Sequence, residues 1–280
     1  MDSTTRGVRV GLLAYTIWGF LTVYWKQLDA FDAIELIGWR IVCASVFMML
    51  VVTVRGAWPS LTATMRDPGT LRWLLLAAVL LTSNWFSYVW AVVNDRVIET
   101  ALGYFMAPLA TMAIGVVLFH ETPTRAQRFA FGCAAVAVVV LTVSYGRLPW
   151  VALILAGTWS FYGFTKRRVA LPAVESLAGE TLILVAPATA LLVALSSRPD
   201  SVVQSATATE WVFVLGTGVI TAVPLMLFAS AATSIPFTLL GPLNLVVPVI
   251  NFGLGWVVYD EPMPLDRLVG FAFIWVALAA

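Results

Sequence analysis

Charge is what this sequence has least of. Of its 280 residues, Lys and Arg supply 16 and Asp and Glu 15, so charged residues make up only 11%, against roughly 25% in a soluble domain. The net charge of +1 offers no basic field to a polyanion, so nucleic acid is not an expected partner. Cysteine is scarce too. Cys43 and Cys133 lie in apolar runs and read as small buried hydrophobes, not as a disulfide or a metal pair. The single histidine, His120, adjoins Glu121 at the end of an apolar stretch and reads as a surface residue. His, Cys and carboxylates nowhere recur at metal-ligand spacing, and no G-x-S-x-G, H-E-x-x-H or phosphate-loop pattern occurs. No metal and no cofactor are therefore expected, and hydrolysis or phosphoryl transfer is disfavoured.

What the chain has is apolar length. Hydrophobic residues are 61% of the total, and a bilayer core of about 30 Å needs roughly 20 of them per helix. Read that way, the chain is an all-α integral membrane protein with ten spans. They run from about Val10 to Trp25, Ala33 to Val54, Trp73 to Val93, Thr100 to Phe119, Pro123 to Ser144, Pro149 to Lys166 and Ala173 to Leu195. The charge-free stretch from Trp211 to Tyr259 must hold two more, turning at Thr233 to Pro236, and a tenth starts near Leu265. The short basic N-terminus is followed by no small-residue cleavage site, so the first span is expected to be kept.

One stretch occurs twice. ALGYFMAPLATMAIGVVLFHE (Ala101 to Glu121) returns as GPLNLVVPVINFGLGWVVYDE (Gly241 to Glu261), which sets Pro108 on Pro248, Gly115 on Gly255 and Glu121 on Glu261 at an offset of 140. The same offset sets Glu35 on Glu175 and Arg40 on Glu180. At the first span it slips by one, setting Trp18 on Trp159. Two units follow, residues 1–146 and 147–280. Five spans per unit is an odd number, so the second unit enters the membrane upside down, as inverted repeats do. Ten loop Lys and Arg fall on the N-terminal side and five on the other. The positive-inside rule then places both termini in the cytoplasm.

Inverted repeats hold their ligand near the midplane between the halves. Polar groups and helix breakers at that depth are tolerated where they face protein or a water-filled cavity. In the ninth span Asn244, Pro248 and Asn251 share a face, and in the fourth Tyr104, Pro108 and Thr111 do the same. The third span offers Asn84, Trp85 and Tyr88, the first Trp18, Thr22 and Trp25, and the sixth Trp159 and Tyr162. Aromatics at helical spacing also serve packing and interfacial belts. Arg40 and Glu180 are the charges deepest in their spans. Structural anchoring is the favoured reading for Arg40; Glu180 is the candidate carrier if export is coupled to protons, and facilitated export without coupling stays open beside it. Glu121 and Glu261 precede prolines that open the next helix, where a carboxylate suits the helix N-terminus.

The stretches AYTIWGFLTVYWK (Ala14 to Lys26), ELIGWRI (Glu35 to Ile41), SNWFSYVWAVVNDRVIETALGYFMAPL (Ser83 to Leu109) and GFAFIWVALA (Gly270 to Ala279) resemble the drug/metabolite transporter superfamily, and within it the RarD-like branch of EamA-type proteins. The resemblance implies two inverted five-helix EamA repeats around a central cavity lined by spans one, three, four, six, eight and nine. It further implies export of amino acids, other metabolites or drugs. Positions Trp18, Asn84, Trp85, Tyr88, Tyr104 and Pro108 match its motifs, while TLLGPLNLVVP departs from the more polar-aromatic form of that helix. The expected protein is thus a secondary exporter of a bacterial inner membrane, with the lipid bilayer and a small, amino acid-like solute as its partners. A monomer is compatible with all of this. Efflux of drug-like or cationic compounds, or a non-transporting membrane sensor, are the alternatives.

Overall fold

The computed structural model describes residues 3–120, 122–168, 171–232 and 243–279. Among them every regular element is helical. α1 (Ser3–Trp25) runs into a single 3-10 turn at Lys26–Leu28, and α2 (Ala33–Val54), α3 (Trp58–Arg66), α4 (Pro68–Val93), α5 (Val97–Phe119) and α6 (Arg125–Tyr145) follow. The remainder holds α7 (Trp150–Arg168), α8 (Ala173–Leu195), the single turn α9 (Val202–Ser205), α10 (Ala208–Ala232), α11 (Val246–Gly253) and α12 (Leu265–Ala279). α11 continues as a π-helix over Leu254–Val258.

Local chemistry fixes the ends. Asp32 accepts the Ile34 N–H to cap α2, and Asp67 accepts those of Gly69 and Thr70 ahead of Pro68. Thr124 and Gln127 form a capping box on α6, which ends on Gly146 in the left-handed conformation. The stretch 55–72 left between the expected second and third spans holds α3, and α4 begins at Pro68, five residues before Trp73. Asp67 and Pro68 supply a start signal that hydrophobicity alone passes over. The turn expected at Thr233 to Pro236 lies outside the described residues.

Seven of these helices are long and apolar enough to cross a membrane, and Val246–Val258 is a shorter apolar helix. Large apolar side chains such as Val46, Leu50, Val54, Val143, Val193 and Val212 stay exposed on the outer surface. In water that surface would be unfavourable; against lipid it is not. The chain is a multi-pass membrane protein.

The helices pack in a recurring scheme. α1 lies against α10 and α4 against α7; α5 against α7 and α11 against α1; α2 against α10 and α4 against α8. α2 with α8, α5 with α11 and α6 with α12 complete it. Where α2 and α10 meet, a Cβ on Gly218 would stand 2.4 Å from the Cys43 carbonyl oxygen, so glycine is what lets the backbones approach. His120 and Asp260, which stand one offset apart, both turn left-handed, with φ of 53° and 51°.

Candidate functional site

Side chains from α1, α4, α5, α7, α10 and α11 meet in the interior. Asn251 is fully buried on α11, and its Oδ1 accepts a hydrogen bond from Thr22 Oγ1 on α1 at 3.0 Å. Thr22 has one hydroxyl proton, so the Tyr88 hydroxyl, 2.9 Å away on α4, donates to it. Asn251 Nδ2 donates in turn to Thr100 Oγ1 at 3.3 Å, and Thr100 to the Val97 carbonyl at 2.7 Å. The string therefore has one direction, from a tyrosine to a main-chain carbonyl, and joins four helices.

A second string lies beside it. The Tyr104 hydroxyl on α5 donates to Asn84 Oδ1 at 3.4 Å, and Asn84 Nδ2 donates to Thr158 Oγ1 and the Leu155 carbonyl on α7 at 3.0 and 3.2 Å. The Tyr88 and Tyr104 rings, 6.0 Å apart, link the two strings. Toward the N-terminal end of α1 an aromatic cluster continues the wall. Trp18 meets Tyr15, Phe228 and Trp159 at 5.5, 5.6 and 6.5 Å, and Trp159 meets Tyr162 at 5.9 Å.

Beside Thr22, already placed in the first string, eight of the residues singled out by sequence sit in or against this interior. Trp18, Asn84, Tyr88, Tyr104, Trp159, Tyr162 and Asn251 are joined by the contacts above, and Trp85 is buried one residue from Asn84 under the guanidinium of Arg40. Pro108 lies within an unbroken α5. Its neighbour Ala107 gives its carbonyl to the hydroxyls of Thr111 and Ser160, both at 3.0 Å. Pro248 is buried in the first turn of α11, while Asn244 is half-buried just before it and stands in neither string. Thr100, Thr158 and Ser160 were not singled out. Their signal is a hydroxyl within an apolar span, easily passed over because such hydroxyls so often bond their own helix.

Charges are few, and three ion pairs form among the described residues. Glu180, wholly buried on α8, is in an ion pair with Lys166 of α7 and accepts hydrogen bonds from Tyr162 and Ser176 at 3.0 and 3.1 Å. Arg147 holds Glu99 through both nitrogens at 3.2 and 2.8 Å, which raises its pKa further. At the same end of the bundle Lys26 pairs with Asp95 and lies 5.2 Å from the Tyr259 ring. Glu261 is here as well. Its two carboxylate oxygens accept the main-chain N–H groups of Val97 and Ile98 at the start of α5. It does cap a helix, but not the following one: α12 starts at Leu265, and the donors belong to α5, more than 160 positions earlier. Glu121 lies outside the described residues. Burial pushes the Glu261 carboxyl above its ordinary value, with the two N–H groups and Lys26 acting against it.

A bundle of apolar helices around an interior of amides, hydroxyls and aromatic faces is the build of a membrane carrier. The chain belongs to the EamA-like transporter family of the drug/metabolite transporter superfamily, whose model matches residues 5–143. Among curated relatives it is similar to the protein RarD of Streptomyces exfoliatus, 36% identical over 272 residues that cover 97% of this chain and 86% of that one. It is also similar to the uncharacterized transporter YojE of Bacillus subtilis, 33% identical over 280 residues covering 98% and 93%. A crystal structure with 20% identity superposes with a TM-score of 0.65 over 98% of this chain and 96% of its own, a likeness of fold alone.

Proposed function

We propose that the protein is a secondary exporter of a bacterial inner membrane that moves small zwitterionic or amphipathic solutes, chiefly amino acids including apolar and aromatic ones, by alternating access. Its working parts are two inverted five-helix units, residues 1–146 and 147–280, with both termini cytoplasmic. The exchange of packing partners under the 140-residue offset supports that reading: α1 on α10 becomes α7 on α4, and α5 on α7 becomes α11 on α1. The paired left-handed residues His120 and Asp260 support it too.

The observation that carries the proposal is the Thr22–Asn251 bond, because it crosses between the two units inside the bundle and is made by neutral groups. Alternating access needs contacts between halves that break and re-form. Hydroxyl and amide bonds in a membrane interior average only about 0.6 kcal/mol each. The same groups would hydrogen-bond the polar end of a substrate, and the faces of Trp18, Trp159 and Tyr88 would take its side chain. A wall that recognises by stacking discriminates weakly, so the substrate range should be broad. Efflux of cations would want an acid facing the site; Glu180 is already held by Lys166 and Tyr162. Glu180 is the proposed point of proton coupling.

The test is counterflow of labelled methionine, phenylalanine and threonine into proteoliposomes of the purified protein, with and without a pH gradient. Saturable uptake, cross-inhibited among the three, is expected. Vesicles holding folded protein that took up none of them would sink the amino-acid reading. A Glu180→Gln variant that still concentrated solute under the gradient would remove Glu180 from coupling.

A further inference from the structure

The interior groups so far described have found partners, with one charged exception. Arg40 is 4% exposed, eight residues into α2, and its guanidinium is enclosed by three other helices. Nε donates to Thr221 Oγ1 of α10 at 3.1 Å, and Cζ lies 4.1 Å from the Trp85 ring of α4 and 5.4 Å from the Trp25 ring of α1. Nη1 is buried with no acceptor. The indole Nε1 of Trp25, on one of the two rings flanking the cation, is buried without an acceptor as well. The three ion pairs among the described residues do not include Arg40. The groups that interact with it electrostatically are the Tyr88 and Tyr104 phenols of the two hydrogen-bonded strings.

Physics makes this arrangement expensive as a structural anchor. A buried cation without its anion is strongly unfavourable, and stacking on indole offsets only part of that. The aromatic faces hold the guanidinium plane in place yet cannot neutralise it. What would neutralise it is an anion with two oxygens, for which the guanidinium fork is shaped.

We infer that Arg40, with Trp25 Nε1 beside it, is a carboxylate-binding site. It takes the carboxylate of a small organic solute whose remainder lies along Tyr88 and Tyr104. This deepens the proposed function and rests on it for the identity of the solute, though not for the anion site itself. Where the sequence favoured anchoring for Arg40, the structure assigns it to the ligand. The site requires a carboxylate, tolerates an ammonium, and rejects a cation that carries no acid.

The test uses L-phenylalanine, 3-phenylpropionate (the acid without the amine) and phenethylamine (the amine without the acid). Each is titrated against the tryptophan fluorescence and melting temperature of the full-length protein in nanodiscs. Both acids are expected to bind saturably, with phenethylamine at least ten-fold weaker. Arg40→Met should weaken both acids at least ten-fold and leave phenethylamine unchanged, and Arg40→Lys should recover part of the loss. Without ligand, Arg40→Met should melt at the wild-type temperature or above it, whereas removal of an anchor would lower it. Acid binding unaffected by Arg40→Met, no acid binding by wild type, or a lowered melting temperature with equal loss for acids and amine, would each overturn the site. Phenylpropionate held through Arg40 without phenylalanine counterflow would end the amino-acid reading and leave the site standing. Phenylalanine counterflow indifferent to Arg40→Met would do the reverse.

Discussion

Thr22 and Asn251 are separated by 229 positions in sequence, and their side chains lie 3.0 Å apart in the buried interior. Each has a further partner, Tyr88 for Thr22 and Thr100 for Asn251, so the bond is the middle link of a longer string. Thr22→Val and Asn251→Leu should each slow counterflow about ten-fold, and a double-mutant cycle on unfolding should give a coupling near 1 kcal/mol. Additive effects would mean that the link carries no energy of its own.

Lys166 and Glu180 make a second testable couple. Glu180 is wholly buried and the Lys166 side chain is 27% exposed, so removing one charge strands the other in a poor solvent. Glu180→Gln and Lys166→Met should each cost about 3 kcal/mol, while the double variant should recover most of that loss. Thermal unfolding in detergent measures all three. A double variant as unstable as the sum of the singles would show that the pair is not a unit.

Gly218 and Gly163 should respond in opposite senses to the same change. A Cβ at 218 meets the Cys43 carbonyl at 2.4 Å, whereas nothing lies within 4 Å of one at 163. Gly218→Ala is expected to destabilise by about 1–3 kcal/mol through separation of α2 and α10. Gly163→Ala should be neutral or stabilising by up to about 1 kcal/mol from helix propensity.

The Glu261 carboxyl, raised by burial, holds its proton more tightly in the fold than in the unfolded chain. Its contribution to stability is therefore present below the ordinary carboxylate value and is lost as pH rises through the raised one. Melting temperatures of wild type and Glu261→Gln, compared from about pH 4 to about pH 8, should show a wild-type advantage that shrinks as pH rises. An advantage that grew instead would mean that Lys26 and the two N–H donors outweigh burial.

Several of these groups were visible in the sequence while their partners were not. Asn251, Asn84, Tyr88 and Tyr104 declared themselves as polar or amphipathic residues in apolar runs, and the helices that carry them were legible from hydrophobic length. The closeness of Lys166 to Glu180 was hidden because Lys166 reads as an end-of-span charge, yet its long stem reaches back into the membrane. Arg40 was found by depth, but its significance lies in what surrounds it, and no pattern within α2 reports the absence of an anion among its neighbours on α1, α4 and α10. α3 was missed because its nine residues, Trp58 to Arg66, include Pro, Ser and Thr, which suit a loop equally well. Glu261 was assigned to the nearest helix start in sequence, since its true partners are main-chain groups, and these carry no residue identity.

That last property bears on how this protein varies and how it is screened. The donors to Glu261 are the N–H groups of positions 97 and 98, which every amino acid except proline supplies. A mutational scan will therefore report the contact itself at position 261 only; the buried Val97 and Ile98 will respond through their packing and to proline, not through the bond to Glu261. A covariation search would find no signal there, however much the contact matters.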